Sequence, residues 1–235
     1  MEVRPLRLAG VHARLSAGAC RVEVCLVKTA VGREIKLLTF ALAALLLLPR
    51  LAWAHHFMGE QLPQTLTQGF FSGLGHPVIG VDHAAFIIAA GFLLAPIGRG
   101  MWGVLALILG SLLGAALHLA GFSLPAGEVA VALSVVLAGG LVMSGRAIPL
   151  SWMAGGLALA GLLHGHAYAE SIFGAEPTPL IAYLAGFCLV QLGIATAALL
   201  THRRFAASLA GPVSSALGAA VGAIGIVFLA GSLVA

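Results

Sequence analysis

From residue 69 onward the chain reads as long apolar runs separated by brief Pro- or Gly-containing punctuation, without the strict alternation that marks membrane strands. About 20 apolar residues are needed for a helix to cross roughly 30 Å of hydrocarbon. On that measure the pattern predicts six spans, at 69–95, 101–121, 125–144, 149–169, 179–200 and 211–234. Ala95-Pro96, Leu124-Pro125, Ile148-Pro149, Glu176-Pro177-Thr178-Pro179 and Gly211-Pro212 mark the gaps. The connections are short, so neighbouring helices are expected to pack antiparallel.

A shorter apolar run, 37–48, precedes these spans and has the length of a signal-peptide core. Arg33 and Lys36 lie upstream of it, and Ala52-Trp53-Ala54 follows as an A-x-A-like cleavage site. The predicted organisation is an N-terminal extension over 1–34, a signal peptide (or anchor helix) over 35–54 and a six-helix transmembrane domain over 55–235. The fold class is an all-α polytopic membrane bundle.

Composition agrees. Of the 235 residues 60% are apolar and 9% are charged, against roughly 25% charged in a soluble domain. Disorder is excluded by the same numbers. A nucleic-acid surface is excluded because the basic residues form no dense patch beside aromatics, despite a net charge of +4. Eight of the 12 Lys and Arg residues lie at or before Arg50, so the excess of positive charge belongs to the leader region.

Charge placement predicts orientation. Arg99, Arg146, Arg203 and Arg204 all fall on the connections of one side, which the positive-inside rule makes cytoplasmic. The alternate connections carry only Glu128, Glu170 and Glu176. Both ends of the mature chain are therefore expected in the periplasm and the bundle in the inner membrane. Glu128 reads as a helix-start carboxylate at the interface, Glu176 as a loop residue, and Cys188 as a small buried apolar residue. Cys20 and Cys25 lie in the leader region and indicate no disulfide framework. The Gly69/Gly73, Gly110/Gly114 and Gly218/Gly222 spacings read as close helix contacts.

Ionisable residues inside a span are costly and mark function by default. The first span contains Gly75-His76-Pro77-Val78-Ile79-Gly80-Val81-Asp82-His83. On a regular helix His76 and His83 share a face about 10 Å apart along the axis, too far for one ion. A kink or unwinding at Pro77 and Gly80 brings His76, Asp82 and His83 together; a straight helix makes them successive half-sites, and Asp82 then orients an imidazole. The fourth span ends in Leu163-His164-Gly165-His166-Ala167-Tyr168-Ala169-Glu170. His166 and Glu170 are four apart on one helical face. His164 and His166 point to different sides of an ideal helix, and Gly165 permits a distortion that gathers them. Imidazole with carboxylate suits nickel, cobalt, zinc or copper and suits calcium or magnesium poorly. His55, His56 and His118 are auxiliary candidates at the outer side, so of nine histidines only His12 and His202 fall outside an outward-facing set.

His76-Pro77-x-x-Gly80-x-Asp82-His83, together with His164-Gly165-x-Ala167 and Glu170, resembles the HupE/UreJ family of bacterial membrane proteins, over roughly residue 54 to the C-terminus. That resemblance implies a signal peptide, six spans and nickel uptake for hydrogenase or urease. By matching position it makes His76, Asp82 and His83 the essential metal-handling residues, with His164 and Glu170 next; His166 is added on chemical grounds. Many members carry another histidine where Tyr168 or its neighbour stands here.

The expected activity is permeation rather than catalysis, driven passively or by a gradient, with Ni2+ or Co2+ as the transported ion and no prosthetic group. The ion sheds part of its water at the outer histidines, passes to Asp82 and His83, and leaves near Arg99 and Arg146. No nucleotide-binding loop is visible. The expected partners are the ion, the lipid bilayer and a recipient metallochaperone or metalloenzyme; a homo-oligomer is left open. The rival readings are an intramembrane zinc-dependent hydrolase, for which no His-Glu-x-x-His pattern is present, and an accessory protein that holds metal without moving it.

Overall fold

The computed structural model describes residues 61–209 and 211–234. The predicted extension, the signal peptide, His55 and His56 lie outside the described residues. Within them, all regular structure is helical: α1 (Leu66–Ile79), α2 (Val81–Leu94), α3 (Met101–Leu119), α4 (Gly127–Ser144), α5 (Leu150–Glu170), α6 (Pro177–Arg204), the short α7 (Ala206–Leu209) and α8 (Pro212–Val234).

Local chemistry accounts for the ends. Thr65 caps α1 by accepting from the Gln68 N–H at 3.2 Å, while the Gln68 side chain accepts from the Thr65 N–H, a reciprocal capping box. Glu128 stands exposed in the first turn of α4, at the positive end of the helix dipole. Glu176 immediately precedes α6, whose first residue is Pro177. Gly121 and Gly174 take φ values of 88° and 86° just beyond α3 and α5, a conformation that a side chain would strain.

Four helices, α3, α4, α6 and α8, are individually long and apolar enough to cross a membrane. The predicted first span is not one helix. It is broken at Gly80 into α1 and α2, bent by 78° relative to each other, and the pair together also has the length and hydropathy of a crossing. Helix α5 has 21 residues but stands outside the four because its histidines and small residues dilute its apolar character. Leu109, Leu137, Leu159, Ile181 and Ile226 are exposed on the outer faces, as a lipid solvent requires.

The directions of packed helices follow from their glycine contacts. A Cβ on Gly69 or Gly73 would meet the backbone of Pro179 or Tyr183, and one on Gly91 would meet that of Ala195. The broken pair α1–α2 therefore runs parallel to α6 from its start almost to its end. Gly110 and Gly114 meet the backbone of Ala158 and Leu162, while Gly161 and Gly165 meet that of Leu107 and Ser111, so α3 and α5 are parallel. Gly139 meets Gly218 and Gly222, and Gly225 meets Val136, so α4 and α8 are antiparallel. The tightest packing thus joins helices that are not consecutive in the chain. Short connections set direction, but small residues decide which backbones touch. Arg203 closes one end of the bundle, donating to the carbonyls of Ala95, at 2.8 Å, and Ile97.

The α3–α5 seam makes a stability prediction. Gly110→Ala is expected to destabilise the protein by about 1–3 kcal/mol, because its methyl group must displace the Ala158 carbonyl. Gly156→Ala, with open space around it, is expected to be neutral or up to about 1 kcal/mol stabilising. Thermal unfolding of both variants in detergent checks the contrast.

Candidate metal centre

The break at Gly80 is what assembles the first motif. The break does not fall at Pro77, which lies inside α1. Gly80 instead takes an extended conformation, φ −69° and ψ 97°, that ends α1 and starts α2. Its missing side chain also makes room for the ring of His83: a Cβ there would lie 2.6 Å from His83 Cδ2. Across the break the His76 and His83 ring centroids come within 5.8 Å. The break thus brings the two rings of the first motif near each other, with Asp82 beside His83.

His164 of α5 completes this inner group. Its Nδ1 lies 2.8 Å from His83 Nδ1, and its ring stacks on Phe86 with centroids 4.3 Å apart. Ser134 of α4 donates its hydroxyl proton to the Val131 carbonyl at 2.7 Å, so at 2.9 Å its oxygen accepts from His164 Nε2–H. That assignment leaves Nδ1 as the lone-pair nitrogen of His164, turned toward His83.

His76 is oriented in the same way from the other side. Tyr183 and Ser171 donate their hydroxyl protons to the Tyr168 carbonyl at 2.8 and 3.0 Å. Their oxygens also lie 3.1 Å from each other and 3.1 and 3.0 Å from His76 Nδ1, a shared network that holds the ring. Outer hydrogen bonds of this kind fix ring orientation and tautomer in histidine metal sites. The Tyr168 ring fills the space between the imidazoles, 5.3 Å from His76 and 4.7 Å from His83.

Asp82 supplies the charge. It is buried with His76, His83 and His164, and its Oδ2 lies 3.9 Å from His83 Nδ1. Its Oδ1 and the Tyr168 hydroxyl are buried without a hydrogen-bond partner. A carboxyl oxygen left unsatisfied in an apolar interior is expensive. A divalent cation between Asp82 and the imidazoles would remove that cost.

The second motif divides. Helix α5 stays regular through Leu150–Glu170, and Gly165 serves close packing against Ser111 rather than a distortion. Residues two apart on a regular helix are separated by about 200° around its axis. His164 therefore joins the inner group while His166 and Glu170 face elsewhere, next to His118 at the end of α3. His166 Nε2 lies 3.2 Å from His118 Nδ1, and His166 Nδ1 lies 3.9 Å from Glu170 Oε1.

Ser134, Ser171, Tyr183 and Phe86 were not among the residues singled out from sequence. One signal could have found part of this set. The chain has two tyrosines, and both Tyr168 and Tyr183 are fully buried here, an unusual placement for hydroxyls in a membrane bundle. Cys188 is a free thiol, partly buried among apolar neighbours, as expected of it.

These features define a multi-pass α-helical membrane protein with a buried histidine–carboxylate centre. The family model described as HupE / UreJ protein matches residues 43–228. The chain is also 35% identical over 171 residues to "Protein HupE" of Rhizobium leguminosarum bv. viciae, covering 69% of this chain and 83% of that protein. No solved structure matches it. The chain belongs to the HupE/UreJ family.

Proposed function

We propose that this protein is a permease that brings a borderline divalent cation, nickel first and cobalt second, across the bacterial inner membrane for the maturation of a metalloenzyme, hydrogenase or urease. His76, Asp82, His83 and His164 form the transit site in this reading. The observation that carries it is the Asp82 oxygen buried without a partner beside converging imidazoles. A soft-to-borderline ion is favoured by three nitrogen ligands, and one carboxylate lowers the charge without trapping the ion.

Six crossings, with α1–α2 as one broken crossing and α5 as another, are supported by the parallel pairing of α1–α2 with α6 and of α3 with α5. Alternating crossings require those directions. Both ends of the mature chain are then periplasmic, and the end bearing Arg99 and Arg203 is cytoplasmic. A broken helix at the site is chemically apt, since irregular backbone inside a membrane is tolerated where it lines a protein-buried binding site. Passage requires an ion to bind firmly enough to shed water and loosely enough to leave.

The test is uptake of radioactive nickel by cells carrying wild type, His76→Ala or Asp82→Asn at matched membrane levels. Uptake is expected to fall at least tenfold in both variants, in line with the loss of one ligand from a small donor set. Equal uptake in all three overturns the reading. Competition with cobalt, zinc and copper in the same cells ranks the ions.

A further inference from the structure

His118, His166 and Glu170 stand apart from the inner group in their hydrogen bonding, although His164 and His166 are separated by a single residue. One ligand atom from each of the three lies within 4.8 Å of the others. The three come from two helix ends, His118 in the last turn of α3 and His166 and Glu170 in the last turn and a half of α5. His166 is buried at 4% exposure, while His118 is half-buried and the Glu170 side chain is 55% exposed. This combination gives one anchored ligand and two that can swing toward solvent.

The tautomer of His166 is set by its surroundings. Its Nε2 lies 2.9 Å from the Phe122 carbonyl, which can only accept, so that nitrogen carries the proton. Nδ1 is then the lone-pair nitrogen, and it is the one turned toward Glu170 Oε1 at 3.9 Å. A backbone carbonyl that takes the second ring N–H of a histidine is the usual partner of a metal-bound imidazole. The ligand atom that each residue offers lies within 4.8 Å of the other two, so small side-chain shifts of His118 and Glu170 bring all three onto one ion with bonds of about 2.0–2.2 Å. His118, whose ring centroid is 4.4 Å from that of His166 and 5.5 Å from that of Phe173, closes the remaining side.

We propose that His118, His166 and Glu170 form a second binding site for a first-row divalent cation, separate from the inner centre and open to solvent at the mouth of the bundle. Its donor set of two imidazoles and one carboxylate selects the ions that the inner centre accepts. Three protein ligands with open positions let the ion keep water and exchange quickly, which suits capture before transfer inward. That role in capture rests on the transport reading above; the existence of the site does not.

The test counts bound ions on the purified full-length protein in detergent by equilibrium dialysis against nickel chloride, for wild type, His166→Ala, Glu170→Gln, Asp82→Asn and His166→Ala/Asp82→Asn. Wild type is expected to hold two ions per chain, each single His or Asp variant one, and the double variant none. Glu170→Gln keeps the shape of a half-exposed side chain and is expected to weaken the outer ion about tenfold, so a folding defect in His166→Ala does not decide the matter. A wild type that holds one ion, or a His166→Ala or Glu170→Gln protein that binds as wild type does, overturns the second site. If the remaining ion is then lost with Asp82→Asn and uptake still depends on Asp82, the transport reading stands without it. Uptake that ignores Asp82 while His166→Ala loses one bound ion separates the two in the other direction.

Discussion

His164→Ala is expected to reduce nickel uptake to background, at least tenfold below wild type and as fully as His83→Ala. The two imidazoles share an Nδ1···Nδ1 hydrogen bond at 2.8 Å, so removing one takes away a contact that orients the other. Removing His164 also leaves a cavity against Phe86 and frees the Ser134 hydroxyl. Because the pair acts as a unit, the double variant His83→Ala/His164→Ala is expected to be no worse than either single one. Ser134→Ala is the graded member of the series. It keeps both ligands but releases the His164 ring from the bond that fixes its tautomer, and a loss of about tenfold in apparent affinity is expected. Uptake measured against nickel concentration, with membrane levels matched by immunoblot, checks all four. Normal uptake by His164→Ala would remove α5 from the transit site.

Gly80→Ala is the second variant expected to lose uptake at least tenfold, although the residue ligates nothing. Its backbone angles, φ −69° and ψ 97°, are open to alanine, so conformational strain is not the reason. The reason is space. The added methyl carbon would lie 2.6 Å from His83 Cδ2 and 3.3 Å from Cγ, so the imidazole must move. It cannot move freely, because it is buried, sits against Tyr168 and shares a hydrogen bond with His164. Displacing a ligand by about 1 Å is enough to lose a preorganised site. Thermal stability is expected to change little compared with uptake, since the helices meeting at the break already end there. Wild-type uptake by Gly80→Ala would show that the ring has a second acceptable position and that the glycine serves only the bend.

How much of this was legible beforehand differs from residue to residue. The convergence of His76 with Asp82 and His83 could be anticipated as one of two outcomes, because Pro77 and Gly80 both lower the cost of leaving a helix. Which of them does so could not be. The break falls at Gly80, whose missing side chain makes room for the His83 ring, while Pro77 stays inside α1. His118 was legible only as an auxiliary candidate. Its place beside His166 and Glu170 depends on the parallel packing of α3 on α5, which their interlocking glycines create.

Local chemistry alone was sufficient for the class of structure and for the donor types. A chain with 60% apolar residues, long runs and, beyond Arg50, arginines only between alternate apolar runs has few stable forms other than a helical membrane bundle. Imidazoles and carboxylates within those runs could only be functional or costly. Tertiary packing alone decided the partition of ligands. His164 and His166 are two positions apart in the chain and chemically identical, yet a regular helix turns them about 200° apart. What each meets there, His83 and Ser134 on one side and His118 and Phe122 on the other, comes from segments more than 25 residues away in sequence. Such contacts are set by backbones brought together through small residues, a property of pairs of helices that no single stretch of sequence contains.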